Sequence, residues 1–194
     1  ASASIVDNDS VPEASISVSP ASVGEGAGTA LVYTVNLSHA SATDVTVNLS
    51  ASGQAVGADY TGAVSSVTIL AGATSATVSL TPVDDSIYEG DETLVLSIGT
   101  GSGYTVSSTA GSASASIVDN DSVPEASISV LPTSVYEDGS SNLVYTVSLS
   151  GTSTNAITIP ISYTSSSATS GTDYTGAQAS VTIAAGSTSA TVTI

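Results

Sequence analysis

The first eighteen residues, ASASIVDNDSVPEASISV, return unchanged at 113–130, a displacement of 112 positions from residue 1 to residue 113. A chain that repeats itself at this spacing folds as copies of one unit, each large enough to hold its own core. The register persists beyond the identical block: LVYTVNLS at 31–38 answers LVYTVSLS at 143–150. After two inserted residues, ADYTG at 58–62 answers TDYTG at 172–176, and SATV at 75–78 answers SATV at 189–192. Residues 11–122 are therefore expected to form one complete repeat, residues 1–10 the last strand of a preceding repeat, and residues 123–194 an incomplete second repeat.

Inside the repeat, apolar residues alternate with Ser, Thr or Asn at period two, the mark of a strand with one buried face. Ala14, Ile16 and Val18 alternate with serines, and Leu31, Tyr33, Val35 and Leu37 form one face of the next strand. The same pattern marks Val45–Val47–Leu49, Val67–Ile69, Val78–Leu80, Leu94–Leu96–Ile98 and Ala113–Ala115–Ile117. Seven strands in about 110 residues, separated by Gly-, Ser- and Asp-rich turns, predict an all-β fold of tandem Ig-like antiparallel β-sandwich repeats. No stretch carries a 3.6-residue apolar period, so almost no helix is expected. Pro12 and Pro124 lie in short SVPEA connectors between repeats, which predicts limited freedom between neighbours and a semi-rigid rod.

The chain holds no Lys, no Arg and no Cys, and one His against 17 Asp plus Glu. Without cationic side chains it cannot release phosphate counterions, which excludes nucleic-acid binding, and an anionic membrane surface repels it. No apolar run is long enough for a spanning helix, so membrane insertion is not expected. With 41% hydrophobic residues in regular alternation, the chain is not an acidic disordered tail.

The placement of the acids is more informative than their number. Alternate loops of an antiparallel sandwich emerge at one end, so Glu25, Asp59, the Asp84–Glu92 connection and Asp119 with Asp121 can converge, about eight carboxylates at one pole. Two like charges 4 Å apart repel by roughly 4 kcal/mol at an effective dielectric near 20, and no Lys or Arg is present to offset this. Carboxylate and carbonyl oxygens without His or Cys select a hard cation, and several carboxylates per ion favour Ca²⁺ over Mg²⁺. The plain alternative is that the acids are solvated surface that confers solubility.

The strings VGEG with Glu25, GADYTG with Asp59, PVDDSIYEGDE with Asp84, Asp85, Glu89 and Glu92, and SIVDND with Asp119, Asn120 and Asp121 resemble the Calx-beta motif. That motif occurs in sodium/calcium exchanger regulatory domains and in many large bacterial surface proteins. The resemblance covers residues 14–121 and implies that these residues ligate a small cluster of Ca²⁺ ions at the end of the sandwich. Asn120 stands where an acid is common, which keeps an oxygen but lowers the charge. The resemblance places Asp7 and Asp9, with Asn8, in the site of a preceding repeat, and Glu137, Asp138 and Asp173 in that of the second. Glu13 and Glu125, just past the connectors, are within reach of the preceding pole.

Other motifs have plain readings. His39 is expected in a surface turn, Asp44 and Asp91 toward water, and the GEGAG and GTGSG runs at 24–28 and 99–103 in hairpin turns, since no helix or Lys follows them. Asn36, Asn48 and Asn120 fit N-x-S, a frequent pattern in Ser-rich chains. Tyr33 and Tyr145 occupy the same core-facing position of their repeats. Together these features predict a non-enzymatic, calcium-stabilised structural repeat of a secreted or cell-surface adhesin, stalk or extracellular filament. Its expected partners are neighbouring repeats and other copies in a filament or matrix. The alternatives are a calcium-sensing regulatory module and a glycan- or surface-binding module. Residues 1–10 either belong to a longer array or are donated as a strand between copies.

Overall fold

The structure is a computed structural model and describes residues 2–3, 10–137, 139–164 and 167–194. It divides into two compact units, Ala1–Asp85 with Gly90–Asn120, and Ser86–Glu89 with Asp121–Ile194.

The first unit is built from β1 (Glu13–Ser19), β2 (Ser22–Gly24), a single 3-10 turn (Glu25–Ala27), β3 (Leu31–Leu37), β4 (Val45–Gly53) and β5 (Tyr60–Thr61). These are followed by β6 (Ser66–Ile69), β7 (Ser75–Pro82), β8 (Glu92–Ile98), β9 (Thr105–Val106) and β10 (Ser112–Val118). No α-helix occurs among the described residues. One sheet runs β5-β7-β3-β1-β9 and the other β2-β10-β8-β4-β6. Alternation decides which face of each strand is buried: Leu31, Tyr33, Val35 and Leu37 of β3 point inward and meet Val47, Leu94, Leu96 and Ile117 of the opposite sheet in one core. Tyr33 is fully buried and spans the layer, its hydroxyl donating to the Leu94 carbonyl oxygen at 2.9 Å.

Two features depart from a purely antiparallel sandwich. The edge strands β9 and β2 pair parallel with β1 and β10. The first strand is also shared between the sheets. Pro20 has no N–H to continue the ladder, so β1 ends at Ser19 and the chain resumes as β2 against β10, where Ser116 N–H donates to the Ala21 carbonyl at 3.0 Å. Gly-rich runs 24–28 and 99–103 are not hairpins. They carry the chain from one sheet to the other, from β2 to β3 and from β8 to β9, because the strands that flank each run belong to different sheets.

The second unit holds β11 (Ala126–Leu131), β12 (Val144–Leu149), β13 (Ile157–Pro160), β14 (Ser180–Ile183) and β15 (Ser189–Thr193). They form a three-stranded sheet β11-β12-β15 and a pair β13-β14. The pairing copies the first unit: Val130 lies opposite Tyr145 as Val18 lies opposite Tyr33. A smaller core gathers Val147, Leu149, Val181, Ile183 and Val192. The segment Ser86–Glu89 belongs to this unit through a parallel bridge between Tyr88 and Ser153.

Candidate metal centre

Strand register brings the acids of the first unit to one end. In one sheet Glu92, the first residue of β8, lies opposite Ile117, and Gly24, the last of β2, lies beside Val118. Glu25 therefore leaves β2 next to the point where Asp119 leaves β10, with Glu92 on the neighbouring strand. In the other sheet Tyr60 pairs with Pro82, so Asp59, just before β5, meets Asp84 and Asp85, just after β7. His39 follows the opposite end of β3, in an exposed turn where Nδ1 meets Ser38 Oγ at 3.1 Å and Nε2 meets the Ser10 carbonyl at 3.0 Å.

Side-chain geometry tightens this grouping. Carboxylate oxygens of Glu25 and Asp119 lie within 4.8 Å of one another, as do those of Asp59 and Glu92. Glu25 is 5% exposed and Asp59 8%, values at which a carboxylate has lost most of its water. Backbone amides supply part of the replacement. Val56 N–H donates to Asp59 Oδ2 at 2.6 Å, and Gly90 N–H donates to Asp119 Oδ2 at 2.6 Å. Across the two sheets, Asn120 Nδ2 donates to Asp84 Oδ1 at 2.9 Å. Asp84 and Asp85 are exposed at the rim.

Glu89 and Asp121, both half-buried, lie in the segments that group with the second unit; Glu89 directly precedes Gly90 and Asp121 directly follows Asn120. Glu137 and Asp173 are exposed and line an open cleft of about 740 Å³ in the second unit. There Thr169 N–H donates to Asp173 Oδ2 at 2.7 Å, in a turn one residue wider than the one Val56 and Asp59 make. Asp7, Asn8, Asp9 and Asp138 lie outside the described residues. Asp44 does not simply face water: it accepts the Ala71 N–H at 2.8 Å and ties the β6–β7 turn. Sequence reasoning missed Gly26, which the 3-10 turn packs against Asp84 and Asn120. Its signal was its position beside Glu25, between two further glycines.

A donor set of this kind fits a hard divalent cation. It offers only oxygens, several of them anionic, and the protein carries no Lys or Arg to neutralise them. Two carboxylates 4.8 Å apart repel by roughly 3 kcal/mol at an effective dielectric near 20. A cation among them turns that repulsion into attraction.

The fold and the acidic pole together define a β-sandwich that gathers carboxylates at its loop end. The Calx-beta domain family profile matches residues 7–121 and again 119–194, and the chain belongs to that family, whose members are calcium-binding domains. It contains two adjacent copies of the domain. No curated protein matches it. Among solved structures it is similar to CBD12 from CALX1.2, at 19% identity over 92% of this chain and 74% of that one, with a TM-score of 0.47. It is also similar to the apo form of the Calx CBD1 domain, at 18% identity over 56% of this chain and 98% of that one, with a TM-score of 0.44. A two-domain protein of unknown function from Bacteroides fragilis aligns at 11% identity over 72% of this chain and 66% of that one, with a TM-score of 0.40.

Proposed function

We propose that the chain is a calcium-stabilised structural segment of a secreted or cell-surface adhesin, stalk or extracellular filament, with no catalytic role. The observation that carries the calcium half is the gathering of Glu25, Asp59, Asp84, Glu92 and Asp119 at one end of a unit that has no cationic side chain. In this reading Glu25, Asp59, Asp84, Asp85, Glu89, Glu92, Asp119 and Asp121 supply the ligands of several Ca²⁺ ions, and Glu137 and Asp173 serve the second repeat. The calcium supplies positive charge and ties loops together; the protein's own part is to hold its oxygens in place.

Architecture rather than sensing is supported by the unchanged recurrence of eighteen residues, since near-identical copies suit a repeated building element. Neighbouring repeats, joined by short Pro-containing connectors, are the first partners. The lack of Lys and Arg removes every trypsin-type cleavage site, which suits an exposed location.

Thermal unfolding in millimolar Ca²⁺, in Mg²⁺ and in chelator tests the site. A Tm gain specific to Ca²⁺ is expected, because a ligand that binds only the folded state stabilises it by mass action. Equal melting in all three conditions would make the acids solvated surface. Electron microscopy of a multi-repeat chain tests the architecture: straight rods in calcium that become flexible in chelator are expected, and flexible chains in both would remove the structural role.

A further inference from the structure

We infer that Asn120 is not a calcium ligand in its own right but a positioning residue, which holds the Asp84 carboxylate in place through a hydrogen bond and relies on Gly26 for room to do so. This rests on the calcium reading above. Asp84 Oδ1 can only accept, so at 2.9 Å the Asn120 amide must present its N–H to it and turn its own oxygen away. Asp84 leaves β7 in one sheet and Asn120 follows β10 in the other, so the bond is a clasp across the open end of the first unit's sandwich.

The floor beneath the clasp is Gly26. A Cβ there would lie 2.5 Å from Asn120 Nδ2 and 2.9 Å from Asp84 Oδ1, distances that no carbon can occupy. Both atoms are the far ends of flexible, exposed side chains, so an alanine would displace the pair rather than the backbone. An aspartate at 120 would set two carboxylates against each other where a donor now faces an acceptor. The neutral amide therefore holds Asp84 without adding to the crowded negative charge, and it leaves the second carboxylate oxygen of Asp84 for a cation.

Hydrogen-bond partners of ligating carboxylates typically change metal affinity 10–100-fold when removed. The test is a cycle of N120A, D84A and the double variant in the 194-residue chain, read by calcium titration calorimetry and by Tm in chelator. N120A is expected to weaken calcium binding about tenfold, with N120S, which keeps a donor, recovering part of the loss. G26A is expected to reproduce both the N120A weakening and the N120A drop in chelator Tm, because it displaces the same pair. In chelator, N120A should lower Tm only where Asp84 is present. Equal effects of N120A with and without Asp84, in either measurement, or a wild-type Kd for N120A, would overturn the inference while leaving calcium binding intact. A wild-type chain with neither binding heat nor a calcium-dependent Tm would remove the calcium reading itself, and this inference with it.

Discussion

Tyr33 shows how one buried polar atom shapes the pH response of the first unit. Burial pushes its hydroxyl up from 10.0 to about 12, with nearby Tyr60 adding in the same direction. Between those values the unfolded chain loses the Tyr33 proton while the folded chain keeps it. Stability from this residue is thus fully present below about pH 10 and declines as pH rises toward about 12. Tyr33→Phe should flatten that decline in denaturation curves taken at several pH values. At neutral pH the same change should cost about 1–3 kcal/mol, because the Leu94 carbonyl loses its donor. Gly62 is the second residue whose chemistry is forced. With φ +93, any Cβ would overlap the Ser79 carbonyl oxygen, and Gly176 at φ +88 meets Thr193 in the same way in the second unit. Gly62→Ala is expected to destabilise by more than about 1 kcal/mol, measured by urea unfolding, since both strain and a backbone clash oppose it.

At the scale of the strand, the repeat supplies its own control. Strands β1 and β11 share the sequence ASISV and the same pairing with β3 and β12, yet Ile16 is 4% exposed and Ile128 59%. In the first unit the inner face of β1 is covered by β10 and β8 of the facing sheet. In the second unit the described residues form only β13 and β14 as a second sheet. Ile16→Ala should therefore cost about 2–5 kcal/mol in equilibrium denaturation, from lost burial plus a cavity. Ile128→Ala should stay within about 0.5 kcal/mol. Equal costs would show that the chain in solution covers both strands alike.

For the whole molecule the governing quantity is a formal charge of −17 with no positive side chain. Self-repulsion of this kind is long-ranged and screened by salt. In chelator, Tm should rise as sodium chloride is raised from about 10 mM to about 150 mM, over which the Debye length falls from about 30 to about 8 Å. In saturating Ca²⁺ the same titration should move Tm much less, because bound ions have already neutralised the densest cluster. A salt response of equal size with and without calcium would mean that the poles are not where the repulsion is concentrated.

Much of the fold was legible because alternation is a local property: each of the seven stretches read from period two is a strand, and each places the expected residues inside. Short strands escaped notice, since β2, β5 and β9 have two or three residues and no period to read. The convergence of Glu25, Asp59, Asp84 and Asp119 could be anticipated from loop parity, as could the absence of any internal counter-charge. The partners of each oxygen could not. That Asp119 accepts from Gly90, and that Asn120 donates to Asp84 instead of offering its oxygen, depends on register between strands far apart in the chain. So the sequence by itself determined the period, the strands, the all-β class and the confinement of acid to the loops, because each follows from neighbours along the chain. Only the tertiary structure decided which acids meet, which glycine runs cross between sheets, and why identical strands differ in burial, because those depend on what the other sheet brings against them.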